Sequence, residues 1–316
     1  MLLDGYTLYP ADDVHWSIFD RVADIDIYDR TAPCDIISRC RDAEAILTNK
    51  VILDAATIAA LPRLRYIGVL ATGYNVVDID AARENGITVT NIPAYSTMSV
   101  AQHVFALILA ITNRVETYAD ANRDKAWSRS ADFTYRLGEW PELADKTLGI
   151  VGFGNIGAAV ARIAAAIGMK ISVFTSRPQS DLPAGYAKTN LDALLRDSDI
   201  ISLHCPLTTA TKNLIDAEAL NKMKPTAILI NTSRGPVVDE NALADALTAR
   251  RIAAAGLDVM SNEPPRPDNP LLACPNCYIT PHVAWASTEA RERLLDLAAR
   301  NLHAFDSGAP VNVVNA

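Results

Sequence analysis

The sequence predicts an α/β protein with two lobes, each a parallel sheet covered by helices on both faces. Three observations predict this. Short β-branched runs alternate with helical segments along the whole chain. A glycine-rich turn, Gly152-Phe153-Gly154-Asn155-Ile156-Gly157, joins one such run to a helix. The chain has 316 residues, about two domains' worth, and 50% are hydrophobic, enough for two packed cores.

In the first third, strand-like runs fall at 24–28, 45–48, 66–71 and 88–92, with helical stretches at 54–61 and 78–85 between them. Residues 98–123 read as one long helix, apolar in its first half and charged in its second, able to bridge two domains. A polar and aromatic loop, 124–140, follows. A second alternation opens at Thr147. Its strands are predicted at 148–152, 170–174, 199–204, 227–231, 253–259 and 278–280. Helices fit 155–168, 191–196, 216–222 and 240–250, and a final helix fits 287–305. One bridging helix at each junction makes the arrangement discontinuous. Residues 1–97 and 286–316 are expected to form one domain and 98–285 the other. The chain shows no internal repeat and no flexible linker rich in Gly or Ser.

Lys and Arg number 29 against 37 Asp and Glu, a net charge of −8, and this argues against a nucleic-acid or anionic-membrane surface. The longest apolar stretch, 98–112, is interrupted by Gln102 and His103 and falls short of the ~20 residues a membrane span needs. Met1-Leu2-Leu3-Asp4 puts an acid where a signal peptide carries basic residues. Five scattered cysteines do not make a disulfide scaffold. The expectation is a soluble protein of a reducing compartment, the cytoplasm.

The glycine-rich turn follows the apolar run Leu148-Gly149-Ile150-Val151 and opens an alanine-rich helix, the context that gives GxGxxG its meaning. Gly152 permits the tight turn, Gly154 lets the backbone approach a pyrophosphate, and Gly157 lets helix and strand pack closely. The helix N-terminus adds N–H donors and the positive end of its dipole. A Rossmann-type dinucleotide-binding lobe follows. An NAD site usually carries an acid at the end of the next strand, to accept the ribose hydroxyls. Here that strand ends in Thr175-Ser176-Arg177, with no acid. A cation and two hydroxyls suit a ribose 2′-phosphate, unless Arg177 only caps a surface loop before Pro178.

Asn231-Thr232-Ser233-Arg234-Gly235 follows another strand, and ligands of open α/β sheets bind outside the carboxyl ends of strands. Arg234 can therefore grip a carboxylate with its planar fork, or pair with a nearby acid such as Asp239. Asp258 ends the next strand, and Glu263 follows in Ser261-Asn262-Glu263-Pro264. His282 closes Thr280-Pro281-His282 after the last strand. It alone among the histidines has a carboxylate candidate and an arginine at neighbouring strand ends. A carboxylate on one ring nitrogen fixes the tautomer and leaves the other to exchange a proton. His15 and His303 read as peripheral, His103 as a packed core residue, and His204 precedes Cys205-Pro206 at a strand end. Cys274-Pro275-Asn276-Cys277 is read as local packing, because no second cluster completes a zinc set. No spacing suggests metal ligands, and the GxSxG elbow of a serine hydrolase is absent from the sequence.

Together these residues resemble the D-isomer-specific 2-hydroxyacid dehydrogenase family over essentially the whole chain. The resemblance rests on the run from Leu70 to Asp78 (LATGYNVVD), the glycine turn, and His204-Cys205-Pro206-Leu207-Thr208. It continues through Asn231 to Asp239, Gly256 to Glu263, and Thr280 to His282. Leu3-Asp4-Gly5-Tyr6-Thr7 and Ala94-Tyr95-Ser96-Thr97 are similar to the glycerate dehydrogenase/hydroxypyruvate reductase branch. The resemblance implies a Rossmann-type domain inserted in a flavodoxin-like substrate domain, a cleft between the lobes, and a homodimer built through the nucleotide lobe. It implies NAD(P)H-dependent reduction of a small 2-keto acid of hydroxypyruvate or glyoxylate type, and the reverse oxidation.

By the family pattern, Arg234 binds the substrate carboxylate and keto oxygen, His282 donates the proton and Glu263 supports it. Thr72 and Gly73 would hold the carboxylate through backbone amides. Asn155 and Ile156 would cover the pyrophosphate, and Cys205 and Pro206 would line the adenosine side. Thr232, Ser233 and Asp258 would face the cofactor with Thr72, Arg234 and His282. Thr175 stands where the family commonly has Asp, so NADP(H) is favoured and NAD(H) remains possible. Other readings are a dinucleotide-binding corepressor or scaffold, and a phosphoglycerate dehydrogenase. A formate dehydrogenase would carry Gln in place of Glu263.

Overall fold

The computed structural model describes residues 1–8, 16–138 and 141–316. The chain divides into two compact units, Met1–Ser96 with Trp285–Ala316, and Thr97–Ala284.

The first unit opens with α1 (Ile36–Cys40), β1 (Ala45–Thr48), α2 (Ala55–Ala59), β2 (Tyr66–Val69), α3 (Ile79–Glu84) and β3 (Thr88–Thr90). The strands form a parallel sheet in the order β1-β2-β3. Aspartates start the helices: Asp54 accepts the Thr57 N–H before α2, and Asp78 accepts that of Ala81 before α3. Leu2 bridges Leu47 on one side and Ile27 on the other. Counting those bridges, the order is that of a flavodoxin-like sheet. The strand expected at 24–28 is reduced to that single bridge. Among the described residues its bridge partner is Leu2, which takes one bond from Tyr28 N–H and gives one to Asp26 O, and Gly5 N–H adds a bond to Tyr28 O.

The second unit runs through α4 (Thr97–Asn113), α5 (Val115–Arg123), β4 (Thr147–Val151), α6 (Asn155–Ala166), β5 (Lys170–Phe174), β6 (Tyr186–Lys188) and α7 (Leu191–Asp197). It continues with β7 (Ile200–Leu203), α8 (Ala217–Lys222), β8 (Ile228–Asn231), α9 (Glu240–Thr248), β9 (Ala254–Leu257) and β10 (Cys277–Ile279). The seven strands are ordered β10-β9-β8-β7-β4-β5-β6, and every neighbouring pair is parallel. The chain winds outward both ways from β4, so the β4/β7 boundary is the switch point where such sheets bind nucleotides. β7, β8 and β9 are buried throughout, and apolar clusters cover the sheet's two faces.

The helix expected over 98–123 breaks. Arg114 takes a left-handed conformation with φ of 51°, and α4 and α5 are bent by 56°. The apolar half stays packed against the sheet, while α5 buries no residue. β6, a three-residue edge strand, went unread because it is too short for a period. The chain returns to the first unit as α10 (Thr288–Asp306), capped by the Ser287 hydroxyl. Its Leu294, Leu295, Ala298 and Leu302 join Leu2, Phe19 and Tyr66 in that unit's core. Among the described residues, no single helix is long and apolar enough to cross a membrane.

Candidate active site

The glycine turn sits where β4 ends and α6 begins. Gly152 has φ of +94°, and a Cβ there would lie 2.7 Å from the Cys205 backbone nitrogen. A Cβ on Gly157 would lie 2.2 Å from the Gly152 carbonyl oxygen. Both glycines are therefore required by the close approach of β4, α6 and the end of β7. Gly154 differs: its missing Cβ faces open space, so the backbone there is open to close approach. Gly154, Asn155, Ile156 and Gly157 bring the first-turn amides of α6 to that surface.

Beyond β5, Thr175 is half-buried and Ser176 and Arg177 are exposed. The loop is held by Arg177 N–H donating to Thr175 Oγ1 at 3.2 Å. Lys188 at the end of β6 donates its ammonium to the Arg177 carbonyl at 2.6 Å. At the end of β7, desolvation pushes the His204 pKa from 6.5 down to about 3. The neutral ring's Nε2 lies 2.9 Å from Ser202 Oγ. Cys205 is buried, its thiol pKa raised by desolvation, and Pro206 is exposed.

Three strand ends carry the acid–base groups. After β8, buried Asn231 binds the turn that follows: its amide donates to Arg234 O, and its Oδ1 accepts from Ser233 N–H and Oγ. Gly235 is forced by a close crossing, since a Cβ would stand 2.0 Å from the Met260 carbonyl carbon. That crossing ties the Arg234 turn to the loop after β9. Arg234 is exposed, and its guanidinium donates to Ser233 O at 2.7 Å. Asp239 is not its partner; it caps α9 by accepting from Asn241 and Ala242 N–H. Glu263 accepts from Met260 N–H at 3.0 Å with one oxygen, and its other oxygen lies 2.6 Å from His282 Nδ1.

Asp258, 1% exposed, receives the Thr280 hydroxyl at 2.7 Å and the Val283 and Ala284 N–H groups, each at 2.9 Å. His103 is not the plain core residue expected from its apolar helix. Its Nε2 lies 2.9 Å from the Thr280 hydroxyl. The sequence signal was its position four residues after Ser99, which places two polar side chains on one face of α4. Thr72 and Gly73 belong to the first unit, where the Thr72 hydroxyl donates to Ile92 O. Cys274 and Cys277 sit in a turn closed by Cys277 N–H to Cys274 O. No group of His, Cys, Asp or Glu among the described residues could hold a metal ion. His15 lies outside the described residues, as do positions 139 and 140 of the loop read at 124–140.

Residues 105–284 match the family model "D-isomer specific 2-hydroxyacid dehydrogenase, NAD binding domain". The chain belongs to the D-isomer-specific 2-hydroxyacid dehydrogenase family. A hydroxypyruvate reductase of Blautia hydrogenotrophica is 43% identical over 319 residues, covering 100% of this chain and 99% of that one. A glycerate dehydrogenase of Methylorubrum extorquens is 45% identical over 283 residues, covering 89% and 88%. The D-lactate dehydrogenase of Aquifex aeolicus, solved with NAD and lactic acid, superposes with a TM-score of 0.85 at 32% identity, covering 100% and 99%.

The family's nicotinamide dinucleotide fits what the second unit offers. The backbone at Gly154 is open, with nothing within 4 Å of where a Cβ would stand, beside the first-turn amides of α6. At the end of β8, on the carboxyl edge of the same sheet, the buried Thr232 hydroxyl has no hydrogen-bond partner among the described residues, and a bound ligand can satisfy it.

Proposed function

We propose that this dehydrogenase reduces a small 2-keto acid of the hydroxypyruvate or glyoxylate type to the D-2-hydroxy acid and catalyses the reverse oxidation. The observation that carries the reading is the 2.6 Å Glu263–His282 contact, on a loop crossed closely by the Arg234 turn. The names of the relatives supply the substrate class.

A nicotinamide dinucleotide held at the first-turn amides of α6 would supply the hydride for the keto carbon. Negative charge then builds on the keto oxygen, and Arg234 opposes it electrostatically while gripping the carboxylate. Glu263 holds Nδ1 of His282, so Nε2 delivers the proton to that oxygen. Thr72 and Gly73 are proposed as further donors to the carboxylate. For the cofactor we propose NADP(H) over NAD(H), because Thr175, Ser176 and Arg177 present no acid to a 2′-phosphate.

We place the enzyme in the cytoplasm, in keeping with its five free thiols. We further propose a homodimer through the second unit. α5 buries no residue, and Val115, Trp127 and Phe133 on and after it are 69%, 55% and 89% exposed. A nine-residue helix without a packed face is marginal alone, and a second copy would cover it. Light scattering of the purified enzyme tests this, and a monomer at micromolar concentration refutes it. A panel of 2-keto acids with NADH and NADPH tests the activity. Failure to oxidise either cofactor with hydroxypyruvate and glyoxylate overturns the substrate assignment.

A further inference from the structure

The segment that carries His282 is clasped from two sides. On α4, Ser99 and His103 lie four residues apart and reach its two ends. The Ser99 hydroxyl donates to Ala284 O at 2.6 Å, and His103 Nε2 lies 2.9 Å from Thr280 Oγ1. From β9, Asp258 holds the middle. Its backbone oxygen accepts His282 N–H at 2.8 Å, and its carboxylate takes the Val283 and Ala284 N–H groups and the Thr280 hydroxyl. Between these anchors His282 has φ of +54°, a conformation that L-residues adopt rarely and hold only when their surroundings impose it.

The direction of the chain of hydrogen bonds follows from counting protons. Thr280 has one hydroxyl proton. The Asp258 carboxylate at 2.7 Å can only accept, so that proton points to Asp258. The hydroxyl oxygen therefore accepts from His103, whose Nε2 carries the hydrogen. The order is His103 N–H to Thr280 O–H to Asp258 carboxylate. Leu257 O, 3.5 Å from Thr280 Oγ1, is the competing acceptor. Without His103, nothing on α4 orients the Thr280 hydroxyl toward the carboxylate. The same Nε2 stands 3.5 Å from Asp258 Oδ1, so without His103 the buried carboxylate is less well supported and pulls on the donors that remain, the amides of residues 283 and 284.

We propose that His103 is a positioning residue for the reaction: through Thr280 and Asp258 it fixes the left-handed turn that presents His282 to the substrate. This rests on His282 being the proton donor. The His103 ring is not required to touch substrate, cofactor or the reacting atoms. The expected signature is a fall in kcat with cofactor affinity kept.

The test is steady-state kinetics with hydroxypyruvate on the full-length enzyme, for His103→Leu, His103→Gln, Thr280→Val, the double variant His103→Leu/Thr280→Val, and His282→Ala. Leucine at 103 is expected to lower kcat about tenfold, a size typical of coupled neighbours, with KM for the reduced dinucleotide within about twofold. Glutamine can place an amide N–H where Nε2 stands and is expected to recover most of the loss. Thr280→Val should match His103→Leu, and the double variant should be no worse than either, because both cut one chain of bonds. Wild-type kcat in His103→Leu overturns the proposal. So do additive losses in the double variant, or a Gln variant no better than Leu. Should His103→Leu fail to fold, the Gln and Thr280→Val variants decide in the same way. Near-normal kcat in His282→Ala sinks the underlying assignment instead, whatever the His103 variants show.

Discussion

Glu263 and His282 are joined at 2.6 Å between Oε2 and Nδ1, while Glu263 Oε1 is held at 3.0 Å by Met260 N–H. The backbone bond fixes the carboxylate, and the carboxylate fixes the ring. His282→Ala should therefore lower kcat by about 10²–10⁴-fold, the usual contribution of a positioned general acid, with dinucleotide affinity nearly unchanged. Glu263→Gln keeps a hydrogen-bonding oxygen but loses the charge that balances the imidazolium, and should be impaired less. Stopped-flow hydride transfer and fluorescence titration of the reduced cofactor separate the two quantities. A His282→Ala enzyme within tenfold of wild type ends the assignment.

Arg234 is exposed and free of any acid within ion-pair distance among the described residues, so its fork is available to a ligand. Arg234→Lys should lose most of kcat/KM for the 2-keto acid. Lysine keeps the charge but cannot bind two oxygens in one plane. Near-normal kcat/KM in the lysine variant would move the carboxylate site elsewhere.

The parallel alternation, the glycine turn and the strand-end residues Arg234, Asp258, Glu263 and His282 were legible because each depends on local pattern. Strand ends converge in any open sheet of this kind, so chain position already places them on one edge. What stayed hidden depends on tertiary contacts. Gly235 looks like an ordinary loop glycine until the Met260 backbone is found where its Cβ would be. The break at Arg114 is a single left-handed residue within a helical composition. His103 reads as core because its bond to Thr280 spans 177 residues of sequence. Arg234 was open between gripping a carboxylate and pairing with an acid such as Asp239, and only coordinates show that Asp239 instead caps α9.

The Cys274–Cys277 pair should be chemically quiet. Burial pushes the Cys277 thiol up to about 12, with the neighbouring Cys274 and Glu240 adding to the shift. At pH 8 its thiolate fraction is then on the order of 10⁻⁴. Cys34 is exposed and Cys274 and Cys205 are buried. Iodoacetamide at pH 8 followed by peptide mass mapping should label Cys34 first. Early labelling of Cys277 would show a thiol far more open than this.

His204 should make the fold acid-sensitive. Its pKa is about 3 in the native state against an ordinary 6.5. Between those values the unfolded chain holds a proton that the native one does not, so stability rises with pH there. The contribution is complete above 6.5 and is lost progressively as the pH falls toward 3. Lowering the pH from 7.5 to 4.5 should cost on the order of 2 kcal/mol through this residue. His204→Gln removes the titration. Urea unfolding of both proteins at the two pH values gives the comparison. An equal acid loss in the variant would assign the sensitivity to other groups.

The proposed cofactor choice rests on the loop after β5. An acid at its start would repel a 2′-phosphate, and Thr175 stands there instead, with its side chain holding the Arg177 N–H. Lys188 anchors the same loop through the Arg177 carbonyl, so a second cation stands on the loop's backbone. A charge-assisted hydrogen bond contributes about 1.5–3 kcal/mol, and Arg177 is exposed, so solvent screening brings the expectation to the lower end. The expected preference for NADPH over NADH in kcat/KM is then roughly tenfold. It should shrink in Arg177→Ala and weaken as salt is raised, since screening acts on the guanidinium–phosphate attraction and not on NADH. Equal or better use of NADH by the wild type refutes the preference. A preference that persists in Arg177→Ala and disappears in Lys188→Ala would transfer the discrimination from the guanidinium to the Lys188 ammonium.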